Sequence, residues 1–138
     1  MNRTRLNLCV CIGVLSLTAC GTMVGGPVAT DAAFADPVVI VTARADARWK
    51  ALIEGNVGTA YDYLSPASRT LLSRHDYQAR IKPGMWRGAK TTSVTCEPDL
   101  CKAKVTLKYD IREIKGLEME LEENWIKEEG GWWFVQKK

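Results

Sequence analysis

Four extended runs follow one another between Thr91 and Val135, with only short turns between them. In the clearest run, Cys101–Arg112, apolar and polar residues alternate, which is the period of a strand with one buried face. The same apolar phase continues upstream to Cys96, and Glu97–Leu100 between the two runs supplies the Pro and Asp of a tight turn. This pattern predicts a β-hairpin.

Two more strands are predicted downstream. The run Leu117–Trp125 alternates again, and its outward phase carries glutamates where the outward phase of the preceding run carries lysines. Opposite charges across a ladder favour antiparallel pairing of the two runs. Glu128–Gly131 then turns the chain, and Trp132–Val135 forms the last strand. We therefore expect a four-stranded antiparallel sheet with one apolar face that another layer must cover.

The two cysteines of the predicted hairpin, Cys96 and Cys101, lie at the two ends of its loop. Adjacent strands bring such a pair within disulfide distance, and a ring this short contributes roughly 2 kcal/mol in the chain-entropy model. The spacing could also begin a zinc site, which needs four nitrogen or sulfur ligands. His75 is the only histidine. We therefore predict a disulfide, with no metal and no cofactor.

The amino terminus has the features of an export signal. Residues 1–19 have a basic start and an apolar run too short to span a bilayer, followed by small residues. The ending Leu17–Cys20 resembles the lipobox of bacterial lipoproteins, in which the cysteine is acylated and becomes the first mature residue. The resemblance implies lipidation of Cys20 and, because Gly21 follows, an outer-membrane anchor facing the periplasm. The alternative is an ordinary cleaved secretory signal.

Charge excludes one class of partner. Removal of the signal takes away Arg3 and Arg5, so that Lys+Arg falls from 19 to 17 against 16 Asp+Glu, and the formal net charge falls from +3 to +1. Such a chain has no basic field for nucleic acid. We expect the membrane to be contacted through the lipid alone.

The middle of the chain predicts helices. Residues 20–36 lack a sustained period and read as a flexible tether, and residues 37–138 form the domain. Asp36 and Pro37 open a helix that ends near Gly55, and its apolar stripe leaves Arg44 and Arg48 largely aside. Three shorter helices follow, with caps at Asn56, Ser65 and Ser73. The fold class is therefore α+β, with N-terminal helices packed on the sheet.

The helix up to Glu54, the segment Glu54–Pro66 and the final strands with Glu123–Trp133 resemble the nuclear transport factor-like superfamily. The resemblance covers roughly residues 37 to 137. It implies a cone-shaped α+β roll in which a curved four-stranded sheet wraps the long helix. The superfamily includes ketosteroid isomerase-like and polyketide cyclase-like enzymes, non-catalytic binding modules and small bacterial lipoproteins of unassigned role. This chain most resembles the lipoproteins, and the Tyr and two Asp of the isomerases have no match here.

Glu123 is the most informative polar residue, since counting by twos from Leu117 places it on the inward face. A buried carboxylate needs hydrogen-bond partners. It is either a pocket acid or base, or a structural group that bonds Arg or Trp inside the fold or is turned outward by a bulge. We favour the structural role. His75, between Arg74 and Asp76, reads as a solvated histidine rather than a catalytic one.

Aromatic residues either fill the core or line a pocket. The candidate pocket residues are Trp49, Tyr61, Tyr63, Trp86, Tyr109, Glu123 and Trp125. On the last strand, Trp133 and Val135 are assigned to the core, which leaves Trp132 and Phe134 as an outer patch for a partner protein or a homodimer. No catalytic residue is assigned.

These patterns predict a lipid-anchored envelope lipoprotein whose domain binds a ligand or assembles with a protein partner without catalysis. The alternative is a small isomerase-type or cyclase-type enzyme that acts on an apolar substrate in the pocket, with Glu123 and a tyrosine as its polar groups.

Overall fold

The computed structural model describes residues 36–137. The predicted signal peptide, the lipidated Cys20 and the tether up to residue 35 lie outside the described residues. Helix α1 spans Pro37–Ile53, and the Asp36 carboxylate caps it by accepting a 2.8 Å hydrogen bond from the Val38 N–H. The helix ends before Gly55, whose φ of 78° is a conformation that glycine adopts readily.

Three short helices follow, and each begins at a capping position predicted from the sequence. They are α2 (Val57–Tyr61), α3 (Pro66–Leu71) and α4 (Arg74–Arg80). The hydroxyls of Ser65 and Ser73 accept hydrogen bonds from the backbone N–H three residues later. Asn56 makes no such side-chain bond, so α2 begins without a side-chain cap.

The strands form one antiparallel sheet in the order β1-β2-β3-β4. They are β1 (Trp86–Cys96), β2 (Leu100–Ile111), β3 (Ile114–Glu128) and β4 (Gly131–Phe134). Strand β2 pairs with β1 and with most of β3, whereas β4 pairs only with residues 125–128 of β3. This arrangement confirms the predicted α+β class, with the helices N-terminal to the strands.

The core lies where the apolar stripe of α1 meets the buried face of the sheet. Its largest fully buried side chains include Trp125, Tyr77, Leu52 and Leu64. The sulfur atoms of Cys96 and Cys101 lie 2.01 Å apart, so the described residues contain the predicted disulfide. The bridge closes the β1–β2 turn, where these two cysteines are also register partners.

The last strand corrects one prediction. Register places Phe134 opposite Trp125 and Trp132 opposite Lys127, and residues directly opposite each other share a face of the sheet. Phe134 thus shares the face of the buried Trp125, and the side chains of Trp132 and Phe134 are both buried, so the prediction that they form an exposed partner surface is wrong. Trp133 and Val135 lie on the other phase and are half-buried. The two-residue turn at Glu129 and Gly130 sets this phase.

Candidate functional site

A cleft of about 380 Å³ opens between α1, the end of α4 and the buried face of the sheet. Much of its wall is apolar, and its polar groups come from α1, from β3 and from residues 136 and 137 after β4. The lining residues are Arg48, Trp49, Leu52, Ile81, Trp86, Leu121, Glu122, Glu123, Phe134, Gln136 and Lys137. A volume of this size is within the range of small-molecule sites.

The carboxylate of Glu123 lies at this cleft and is only 3% exposed. Its Oε1 accepts hydrogen bonds from Arg48 Nη1 at 2.7 Å and from Trp49 Nε1 at 2.8 Å. Its Oε2 accepts a third from Trp125 Nε1 at 3.1 Å. Donors from two different elements therefore hold the carboxylate, which satisfies the requirement that a buried charge be paired and hydrogen-bonded.

Arg48 is nearly as buried, at 4% exposure. Its guanidinium carbon lies 3.7 Å from the centroid of the Phe134 ring and 5.2 Å from that of Trp49. Aromatic faces stabilise a guanidinium at such distances. Glu123 supplies the compensating negative charge. Arg48 and Glu123 thus form a buried ion pair that ties α1 to β3 at the cleft.

This geometry limits what Glu123 can do chemically. A general base needs a lone pair that reaches the proton to be removed. Three hydrogen bonds, one of them from a cation, already engage the two oxygens of Glu123. The carboxylate therefore joins α1 to β3, and its remaining acceptor capacity lies on Oε2. An apolar wall formed by Leu52, Ile81, Trp86 and Leu121 lies beside it.

The structure brings together some of the candidate pocket residues. Trp49, Trp86 and Glu123 line the cleft, and the Trp49 and Trp86 rings make an edge contact with centroids 5.6 Å apart. Trp125 is fully buried behind the cleft and reaches it through its hydrogen bond to Glu123. The bulge that would turn Glu123 outward does not occur, because register between β2 and β3 is continuous there.

The three tyrosines lie elsewhere. The Tyr61 hydroxyl donates to the Leu72 carbonyl at 3.0 Å, and its ring packs against Tyr77. Tyr63 lies under the Arg44 guanidinium, 5.1 Å from ring centroid to guanidinium carbon. Tyr109 pairs with Trp86 and Leu117 in the sheet. None of the three is among the side chains that line the cleft.

Arg48 is the functional residue that sequence reasoning missed. It was predicted to lie largely off the apolar stripe of α1. Its position is three residues after Ala45 and four before Leu52, both buried, so spacing alone places it on the buried face. An inward carboxylate at Glu123 predicts a cationic side chain on the helix that faces it.

A second arginine on α1 lies outside the cleft. The Arg44 guanidinium lies between the rings of Tyr63 and Trp133, with distances of 5.1 and 5.0 Å to the two centroids. Burial lowers the pKa of Arg44 from its usual value because desolvation disfavours the charged form. Ring faces compensate part of this cost.

Candidate metal ligands do not cluster in the described part of the chain, and the side chain of His75 lies on its surface. Within residues 36–137, no group of three or more His, Cys, Asp and Glu side chains is placed to hold a metal ion. His75 is 92% exposed, and its Nδ1 lies 3.6 Å from the neighbouring Asp76 carboxylate. It therefore stands in solvent. In the same residues, no helix is long and apolar enough to cross a membrane.

Comparison with known proteins yields structural likeness only. No protein-family model matches the chain, and no curated protein matches it. A SEC-C motif-containing protein from Rhodopseudomonas palustris is similar in structure with a TM-score of 0.53 and 14% identity, over 68% of this chain and 73% of that one. At this identity the likeness indicates a shared fold and nothing about activity.

A putative NTF2-like transpeptidase from Campylobacter jejuni is a second structural neighbour. It has a TM-score of 0.46 and 16% identity, over 67% of this chain and 94% of that one. Its name agrees with the nuclear transport factor-like resemblance read from the sequence. A TM-score below 0.5 is too low to carry an argument, so that resemblance stays a prediction.

Proposed function

We propose that this protein is a nuclear transport factor-like lipoprotein of the bacterial cell envelope, whose cleft binds a small ligand with an apolar body and does not transform it. The lipobox-like ending Leu17–Cys20 and the tether after it support the envelope placement. The signal, the lipid anchor and the outer-membrane location are parts of this proposal.

One observation carries the binding role. The cleft offers about 380 Å³ beside an apolar wall, and the polar residues at its floor already bind each other. Such a floor gives shape and rigidity, and the buried Nε of Arg48, which has no hydrogen-bond partner among the described residues, is a donor left for a ligand. Affinity then comes from burial of apolar surface against Leu52, Ile81, Trp86 and Leu121, at roughly 25 cal/mol per Å².

The competing hypothesis, that the protein is an enzyme, requires Glu123 to exchange a proton with a substrate. Proton transfer by one carboxylate in an apolar cavity is an established strategy. Here three hydrogen bonds, from Arg48 and from two indole N–H groups, already tie the carboxylate into the fold. The non-catalytic role therefore ranks first.

Native mass spectrometry of the full chain, gently extracted from its own membrane, tests the proposal. We expect a bound small molecule on the wild type and its loss in Ile81→Trp, which fills the cleft from the end of α4. Val39→Trp is the matched control because Val39 is an exposed position on α1 outside the cleft. A wild type without a bound molecule, or a molecule that both variants retain equally, would contradict the proposal.

A further inference from the structure

We infer that the outer edge of β3 from Leu117 to Glu122 is a docking site for an extended, basic segment of a partner protein, which adds a strand to the sheet. This edge is open over a long stretch. Strand β3 has fifteen residues, and β4 pairs only with its last four. Within residues 36–137, no strand pairs with the outer edge of 117–122, although the Glu122 carbonyl at its end accepts a hydrogen bond from Lys137 Nζ.

Hydrogen bonds at the covered end show which backbone groups face this edge. The Val135 N–H donates to the Asn124 carbonyl on the β4 side, and Lys137 Nζ donates to the Glu122 carbonyl. The Lys127 N–H points the other way, toward Asp99 beside β2. Because alternate residues of a strand direct their backbone groups to opposite edges, the N–H and C=O of Glu118 and Glu120 face the open edge.

Regular geometry makes this edge competent to pair. Register between β2 and β3 runs without a bulge from Tyr109 opposite Leu117 to Leu100 opposite Ile126. The opposite edge of the sheet differs: β1 carries two register irregularities, and the Asp46 carboxylate on α1 accepts both the backbone N–H and the hydroxyl of Thr91. Bulges and covering groups protect edge strands, and β1 has both.

Side chains on the open stretch alternate in character. Leu117, Met119 and Leu121 share the face that lines the cleft, and Met119 is exposed, so an added strand would gain apolar cover there. The outer face carries Glu118, Glu120 and Glu122. Lys108 Nζ lies 2.9 Å from Glu118, and Lys104 Nζ lies 3.5 Å from Glu120, both from the β2 side.

The exposed glutamates of β3 indicate which kind of segment would pair with this edge. A carboxylate accepts several hydrogen bonds, so each glutamate that meets a lysine of β2 on one flank can meet a basic side chain of an added strand on the other. A second copy of this chain paired edge to edge would set glutamate against glutamate, which destabilises a ladder. Charged edges prevent self-pairing in this way, and this one also favours a segment with alternating apolar and basic residues.

This docking does not depend on the cleft. Leu121 and Glu122 line the cleft, but Glu118 and Glu120, whose backbone groups face the open edge, do not. The cleft-filling variant Ile81→Trp therefore tests ligand binding, and Glu120→Pro tests edge docking, so the two failures give separate results. Recognition by added strands derives affinity from the backbone and selectivity from alternate side chains.

The experiment uses the full chain in detergent and two synthetic peptides of about seven residues, matched to the open stretch. One alternates Val with Lys and the other alternates Val with Glu. We expect the lysine peptide to bind at least about tenfold more tightly than the glutamate peptide, with slowed amide hydrogen exchange in the segment 117–122. Equal binding of the two peptides, or binding without slowed exchange in that segment, would overturn the inference.

Two variants separate the backbone from the charges. Glu120→Pro removes an N–H that faces the open edge and makes no bond to β2, a position where edge strands tolerate proline. We expect Glu120→Pro to lower the affinity for the lysine peptide about tenfold. Glu120→Gln keeps the backbone donor and should lower that affinity less. Replacement of Glu118, Glu120 and Glu122 together by lysine should reverse the preference to the glutamate peptide. An unreversed preference, or a dimer of the wild type that Glu120→Pro dissociates, would also contradict the proposed occupant.

Discussion

The two halves of β3 use the same residue type in opposite ways. In the C-terminal half, Glu123 is buried, paired with Arg48 and followed by residues that pair with both neighbouring strands. In the N-terminal half, Glu118, Glu120 and Glu122 are exposed, and the strand pairs on one side only. A carboxylate that faces the core must be neutralised where it stands, whereas one that faces water is free to select partners.

This difference predicts the largest effect. Glu123→Gln leaves the Arg48 charge buried without its counter-ion, and breaking such a pair costs about 3–5 kcal/mol of unfolding free energy. The control is Glu122→Gln, one residue away on the exposed face, which should change stability by less than about 0.5 kcal/mol. Denaturant unfolding of both variants measures the difference. Equal losses would mean that the two halves of the strand are not distinct.

An intermediate effect concerns the hairpin end of β3. The Asp110 carboxylate accepts a 2.9 Å hydrogen bond from the Gly116 N–H and a 2.7 Å bond from the Arg87 guanidinium. The Gly116 bond and then the Arg87 bond lower the pKa of Asp110 below its usual value.

Because the pKa of Asp110 is lower in the folded chain than in the unfolded chain, its ionised form favours folding. This contribution is fully present above the ordinary aspartate pKa of about 4, and it is lost as pH falls through the lowered folded value. We expect unfolding free energy to fall over that window, and to fall less steeply in Asp110→Asn. Asp76, whose pKa the Ser73 hydroxyl lowers, leaves a residual slope. Identical slopes in wild type and Asp110→Asn would contradict this account.

The smallest effect belongs to the exposed glutamates. The Lys104–Glu120 pair spans 3.5 Å between exposed side chains, and pairs of this kind contribute about 0.2–1 kcal/mol. Glu120→Gln should therefore lower the unfolding free energy by no more than about 0.5 kcal/mol. Added salt should reduce the difference from wild type further. A loss as large as that of Glu123→Gln would show that the outer row has a structural role.

Local patterns predicted most of the fold. Period-two alternation gave the strands, the serine caps gave the short helices, and hairpin geometry gave the Cys96–Cys101 pair. These features depend on neighbouring residues, so the sequence contains them directly. The phase of the last strand does not, because it depends on register across the turn at Glu129 and Gly130, and Trp132 and Phe134 were assigned to the wrong face.

The candidate site was predicted only in part. Glu123, Trp49 and Trp86 were identified from phase and residue type, and the structure places them at one cleft. Tyr61, Tyr63 and Tyr109 were included because tyrosines often line pockets, but where each lies depends on long-range packing. Arg48 was placed largely off the apolar stripe of α1, although its spacing from Ala45 and Leu52 and the inward Glu123 together indicate a buried position.

A double-mutant cycle on Arg48 and Glu123 tests most directly the claim that the Glu123 carboxylate serves the fold rather than a reaction. Arg48→Met and Glu123→Leu alone should each lower the unfolding free energy by about 3–5 kcal/mol, since each leaves one buried charge unpaired. The double variant replaces both charges by apolar groups, and we expect it to recover most of that loss. Additive losses in the double variant would contradict the account, because they would mean that the Arg48 and Glu123 side chains do not stabilise each other.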